Sequence, residues 1–219
     1  MKVIVFGAGQ VAEVVQFYLE HDSDFEVAAF TVDGEFVKES TLLGLPVIPF
    51  EEAVVSHPPG EFGIFVALSF KKVNIIRAEK YDQVKVAGYK PISYVSTKAA
   101  TWPGLRIGEN TFIMENNTIQ PFTQIGNNTI LWSGNHIGHH TNIGNHCFIA
   151  SQVVVSGSVS VGDYTFIGVN ATIRDNVRVG ERCVIGANTL ILENTKDGEV
   201  YIGPKTEPSK VPSHRLRSI

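Results

Sequence analysis

Ile107-Gly108-Glu109-Asn110-Thr111-Phe112-Ile113-Met114-Glu115-Asn116-Asn117-Thr118-Ile119 opens a rhythm that decides the fold. A branched aliphatic returns at every sixth residue: Ile107, Ile113, Ile119, Ile125, Leu131, Ile137, Ile143, Ile149, Val155, Val161, Ile167, Ile173, Val179, Ile185 and Ile191. No insertion disturbs these fifteen steps. A fixed short period marks a solenoid, and a period of six marks a β-helix. The residue two before each aliphatic is almost always compact, as at Thr111, Asn117, Thr123, Cys147, Ala171 and Cys183. Alternation along a strand sends these two positions to the same side. Each hexad therefore points one large and one small side chain inward and then turns a corner. Three hexads make a coil of eighteen residues, and the fifteen hexads make five coils. At about 4.8 Å per layer the prism is roughly 24 Å tall. Glycine follows the aliphatic at 108, 126, 138, 144, 162, 168, 180 and 186, where the corners are expected to need backbone freedom. Both cysteines, Cys147 and Cys183, fall in small inward slots, so neither is expected to be a catalytic thiol.

The residue before each aliphatic points outward, and sorting by eighteen separates three faces. One carries Phe112, Ile130, Phe148, Phe166 and Val184. A second carries Gln124, Asn142, Ser160 and Arg178, and the third is mixed: Thr118, His136, Val154, Thr172 and Leu190. Five stacked apolar side chains do not stay wet at low cost. The expectation is self-association through that face, in a closed ring of three copies.

Residues 1–95 follow a different grammar. Lys2 to Phe6 is an apolar strand, Gly7-Ala8-Gly9 a tight turn, and Gln10 to Glu20 carries apolar residues at helical spacing. Further strands are predicted at Phe25 to Val32, Leu45 to Ile48 and Gly63 to Leu68, with helices at Phe50 to Val55 and Val73 to Tyr81. Alternating strand and helix favours a parallel sheet, here about half of a dinucleotide fold. Pro91 to Pro103 reads as a linker, and residues 96–219 form the second domain. Val200 to Pro204 reads as a short extended piece, and the tail from there to Ile219 is expected to pack across the open end of the prism. A net charge of −4 argues against a polyanion partner. No apolar run suits a membrane span or a signal peptide, so a cytoplasmic setting is expected.

Several residues could carry chemistry. His136, His139, His140 and His146 lie within eleven residues, which invites a metal. The register spreads them over different sides, so no metal site is expected, and His146 reads as a solvated corner. His139 is the better functional candidate. It follows Gly138 at a corner, and one coil on stands Gly157, which leaves room and a free backbone N–H beside the imidazole. A base beside a small residue with a spare donor is what acyl transfer needs. In the first domain, Gly7, Ala8, Gly9, Gln10 and Val11 follow a strand and open a helix, a context for cradling a phosphate. Asp33, ending the second strand, could hold a ribose hydroxyl. Lysines and Arg77 in Ser69 to Arg77, at the carboxyl end of a strand, would suit a diphosphate.

With Val5-Phe6-Gly7-Ala8-Gly9-Gln10, Ile137-Gly138-His139, Gly168-Val169-Asn170 and Val200-Tyr201-Ile202-Gly203-Pro204 in this order, the chain resembles bacterial sugar acyltransferases of the PglD/NeuD type. The resemblance implies a left-handed β-helix and a trimer with acetyl-CoA in the groove between adjacent prisms. It implies a nucleotide-linked amino sugar between the first domain and a neighbouring prism. His139 would be the catalytic base. Gly157, Val169 and Ala187 would meet the acyl donor, with Phe148 near the thioester. The Gly7 to Val11 turn, Asp33, Asn74 and Arg77 would hold the nucleotide. The reaction implied is acetyl-CoA-dependent N-acetylation in surface glycan synthesis. Three departures are evident: His140 replaces the acidic residue that often follows the histidine, Phe148 stands where related enzymes can have a polar residue, and the closing motif is changed to Gly203-Pro204-Lys205. Alternatives are O-acetylation of a sialic-acid-like sugar, a non-catalytic nucleotide-sugar scaffold, and a metal-dependent β-helix enzyme.

Overall fold

The structure, a computed structural model, describes residues 1–215. It opens with strand β1 (Lys2–Phe6), helix α1 (Gln10–His21) and strand β2 (Glu26–Val32). A short hairpin of β3 (Thr41–Leu42) and β4 (Leu45–Pro49) follows, then α2 (Phe50–Ser56), β5 (Gly63–Val66) and α3 (Ile75–Val86). The sheet order is β3-β4-β2-β1-β5, parallel except at β3. The sheet matches the expected half of a doubly wound fold; the antiparallel β3 is the one strand that alternation of apolar residues did not announce. α3 begins two residues later than expected, because Lys72, Val73 and Asn74 all take left-handed backbone with φ of 51°, 51° and 67°.

The remainder is a left-handed parallel β-helix. Fifteen two-residue strands run from Arg106–Ile107 to Leu190–Ile191 and stack in three parallel sheets. The register advances by eighteen residues, as in Gln124 against Asn142 and Ile125 against Ile143. The periodic aliphatics and the compact residues two before them form one continuous core, from Ile113 to Ile191. The cysteines lie in it, and burial pushes the Cys147 thiol up to about 12.

Four expectations are corrected. The segment read as a linker already belongs to the prism: Tyr94–Val95 (β6) pairs with Phe112–Ile113, and Ala100 bridges to Thr118. The corner glycines do not supply left-handed backbone. That role falls two residues later, at Asn110, Asn116, Asn128, His140, Asn170, Asn176 and their non-glycine equivalents, with φ between 53° and 68°. The glycines are needed for space, since a Cβ on Gly126 would come within 2.6 Å of the Gly144 backbone in the next coil. The apolar face is not left for self-association. Phe112, Ile130 and Phe148 are buried in one cluster with Val11, Val15 and Phe65 of the first domain. Last, residues 204–215 of the tail are exposed rather than packed; the end of the prism is closed by Val200–Tyr201, which pairs with Val184–Ile185. The final four residues of that tail lie outside the described residues.

The two domains are pinned as well as packed. Arg77 of α3 is wholly buried and donates to the carbonyls of Asn128, His146 and Cys147 in the prism and of Ser69 in its own domain. At the other end, Asp22 after α1 accepts from Tyr94, Ser96 and Thr97. These ties fix which prism face the first domain covers, and so fix where the site residues stand.

Candidate acyl-transfer site

His139 lies on the corner between the strand His136–Ile137 and the strand Asn142–Ile143. Its ring is exposed and rests directly over Gly157 of the next coil. A Cβ added to Gly157 would come within 2.7 Å of the imidazole Cε1 and 2.8 Å of Nε2, so only glycine leaves the ring where it is. The His139 N–H donates to Gln120 Oε1 at 2.9 Å, and its carbonyl accepts from the Ser158 N–H at 2.8 Å. The backbone is therefore held by the coils above and below. His139 Nδ1 stands 3.1 Å from His140 Nδ1, and the His140 ring packs on exposed Phe122 with centroids 4.7 Å apart.

Val169 and Ala187 stack on the next corner along, between the sheet containing Phe166 and the sheet containing Thr172. The Asn188 N–H donates to the Val169 carbonyl, which ties one coil to the next. Both residues are exposed. The amides of Gly157, Val169 and Ala187 have no acceptor among the described residues. The two corners border the same mixed face, that of Thr118, His136, Val154, Thr172 and Leu190. Unpaired donors along both rims of one face can hold an extended polar ligand, and a donor beside an imidazole can stabilise an oxyanion.

A second hollow lies in the first domain, at the carboxyl ends of β1, β2 and β5, where ligands of parallel sheets bind. It has two lobes of about 510 and 550 Å³ that share Gly9, Phe36 and Lys71. Gly9, Gln10 and Val11 line it, with Ala8 in the second lobe. Gly7 makes the tight passage possible: its φ is +136°, and a Cβ there would come within 2.7 Å of the Ala67 carbonyl oxygen. Gly9 precedes the first turn of α1, whose leading amides have no carbonyl partner within the helix. With Lys71, these donors suit a phosphate group.

Other residues expected at the nucleotide are placed elsewhere. Asn74 and Arg77 are fully buried. Asn74 donates to the Tyr164 carbonyl and accepts from Arg77, so both serve the domain junction and not a ligand. The Asp33 carboxylate is taken by Lys80 at 2.7 Å and does not line the hollow. Phe148 is 4% exposed beneath the first domain, stacked against Phe166 and edge-on to Phe70, far from a groove role. His146 is not a solvated corner: it stacks on Tyr164, bonds Asn128, and burial lowers its pKa. Lys71, one of the lysines expected at a diphosphate, does line the hollow. Gln120 and Phe36 were not singled out by pattern, because their roles arise from contacts one coil or one crossover away.

The hollow and His139 are on opposite sides of one chain. The first domain covers one prism face, whereas His139 lies on the edge where the other two faces meet.

Residues 104–139, 122–157 and 158–193 match the family model described as bacterial transferase hexapeptide (six repeats). Among solved structures, PerB from Caulobacter crescentus, in complex with CoA and GDP-perosamine, superposes with a TM-score of 0.81 at 25% identity. It covers 93% of this chain and 94% of its own. A second structure of the perosamine N-acetyltransferase from that organism, a histidine-to-asparagine variant with the same ligands, gives a TM-score of 0.82 at 24% identity over 93% and 94%. The acetyltransferase domain of PglB from Neisseria gonorrhoeae, in complex with acetyl coenzyme A, gives 0.80 at 23% identity over 95% of this chain and 98% of that one. No curated protein sequence matches the chain. Both the hexapeptide prism and the preceding α/β domain are thus the architecture of sugar N-acetyltransferases of the PglD/NeuD type.

Proposed function

We propose that the protein transfers an acetyl group from acetyl-CoA to the amine of a nucleotide-linked amino-deoxy sugar. The observation that carries this reading is the exposed imidazole of His139 seated on Gly157, whose amide has no acceptor among the described residues. The complexes of its structural relatives with CoA and with GDP-perosamine support it.

His139 takes a proton from the sugar nitrogen as the nitrogen lone pair attacks the thioester carbonyl. The oxyanion accepts from the Gly157 N–H. Collapse expels the CoA thiolate, which receives the proton from His139. No covalent enzyme intermediate is required. The pantetheine arm lies along the mixed face, against the amides of Val169 and Ala187. The nucleotide diphosphate sits in the hollow at Gly9 to Val11, with Lys71 as its cation. This makes residues 1–95 the nucleotide-sugar-binding domain and residues 96–219 the acyl-transfer domain. Because the hollow and His139 are on opposite sides of one chain, the sugar of one copy must reach the prism of another. A closed trimer satisfies this for every copy at once.

The test is product mass spectrometry after incubation with acetyl-CoA and a panel of GDP-, UDP- and dTDP-linked amino sugars, beside CMP-linked and free nonulosonic acids. A gain of one acetyl on an amino sugar is expected. Acetylation only of the nonulosonic acids would redirect the reading to O-acetylation.

A further inference from the structure

We infer that His140 is the positioning residue that holds the His139 imidazole as a base, through a hydrogen bond between the two Nδ1 atoms. The inference rests on His139 being the base of the proposed reaction.

The geometry is specific. The two Nδ1 atoms are 3.1 Å apart. At that distance they share one proton: one nitrogen donates and the other accepts. When His139 Nδ1–H donates to the His140 Nδ1 lone pair, His139 Nε2 carries the free lone pair. Nε2 and the neighbouring Cε1 form the edge of the ring that comes nearest to Gly157. After Nε2 takes the proton of the sugar amine, the His139 imidazolium keeps its Nδ1–H donated to neutral His140. The proton then leaves from Nε2 to the thiolate, and the pair returns to its first state. His140 neither gains nor loses a proton over the cycle.

The backbone delivers His140 to this place. Its φ of 58° is the left-handed corner conformation of every coil, and asparagine fills that position at 110, 116, 128, 170, 176 and 188. The Phe122 ring closes off the other side of His140. Gln120, Phe122 and the Gly157 backbone, which meet the pair, carry no charge. A carboxylate in place of His140 would favour the imidazolium by charge and keep the base protonated to higher pH.

Asparagine offers a close test, since its Oδ1 sits at the same bond distance from the backbone as His Nδ1 and it tolerates the left-handed corner. His139→Asn, His140→Ala, His140→Asn and His140→Asp are assayed for kcat, KM for acetyl-CoA and the pH profile of kcat, with CoA binding by calorimetry confirming a folded prism. His140→Ala is expected to lose about tenfold or more in kcat with KM unchanged. His140→Asn restores most of the rate. His140→Asp moves the acid limb of the profile up by about one pH unit or more. If His139→Asn is inactive yet His140→Ala matches the parent in rate and profile, the inference is overturned and the proposed reaction stands. A His140→Asn variant as slow as His140→Ala also overturns it, because the acceptor is then not what matters. Full activity in His139→Asn overturns the proposed reaction itself.

Discussion

At the scale of single residues, the site depends on a glycine as much as on a histidine. His139→Asn is expected to lower turnover by roughly 10²–10⁴ while calorimetric CoA binding persists. Gly157→Ala acts on the same atom from below. Its methyl would meet the imidazole at 2.7 Å, so the ring must move by several tenths of an ångström or tilt away. A displacement of about 1 Å in a catalytic group can cost about 10² in rate. Gly157→Ala should therefore slow turnover about ten- to a hundredfold and leave the melting temperature nearly unchanged, because Gly157 does not occupy left-handed backbone. A rate equal to the parent would mean that the ring has a second productive seat.

At the scale of elements, the junction between α1, α3 and the prism carries the two sharpest stability predictions. Arg77→Met leaves the Asn128, His146 and Ser69 carbonyls without their donor. Burial pushes the guanidinium down to about 9, still charged at neutral pH. Unmet buried groups of this kind cost about 1–3 kcal/mol each. A loss of about 3 kcal/mol corresponds to a fall of about 6–12 °C in Tm for a chain of this size, read by calorimetry. Asp22 supplies a pH dependence. Hydrogen bonds from Thr97 and Tyr94 hold its carboxyl well below the usual carboxylate range. Its folded pKa is thus below its unfolded value of about 3.9, so the stabilisation is complete above that pH and fades as pH falls below it. Thermal melts between pH 5 and pH 3 should show a steeper decline for the parent than for Asp22→Asn. The same elements show what was legible in the sequence and what was not. The strict period of six gave the prism, its register and its core, because an inward slot accepts only certain sizes. The Gly7 to Val11 turn was legible as a helix start that can face a ligand. What escaped was pairing across the domains. Arg77 and Asn74 look like ligand residues in one dimension, and only the docking of α3 onto the prism turns them inward. Phe148 and its column were read correctly as needing cover; the cover comes from the same chain.

At the scale of the whole molecule, the proposed reaction, with hollow and imidazole on opposite sides of one chain, makes activity depend on assembly. Sedimentation at micromolar concentration should give three times the mass of the 24.0 kDa chain. Co-expression of His139→Asn with a variant blocked in the hollow, such as Gly9→Trp, should yield mixed assemblies with part of the parental rate, although each variant alone is inactive. No recovery in demonstrably mixed assemblies would place the whole reaction within one chain. The most direct measurement is a crystal structure with coenzyme A bound. The thiol is expected beside His139 Nε2 above Gly157, with the pantetheine arm against the amides of Val169 and Ala187. Coenzyme A bound away from that edge, with its sulfur out of reach of His139, would contradict the assignment.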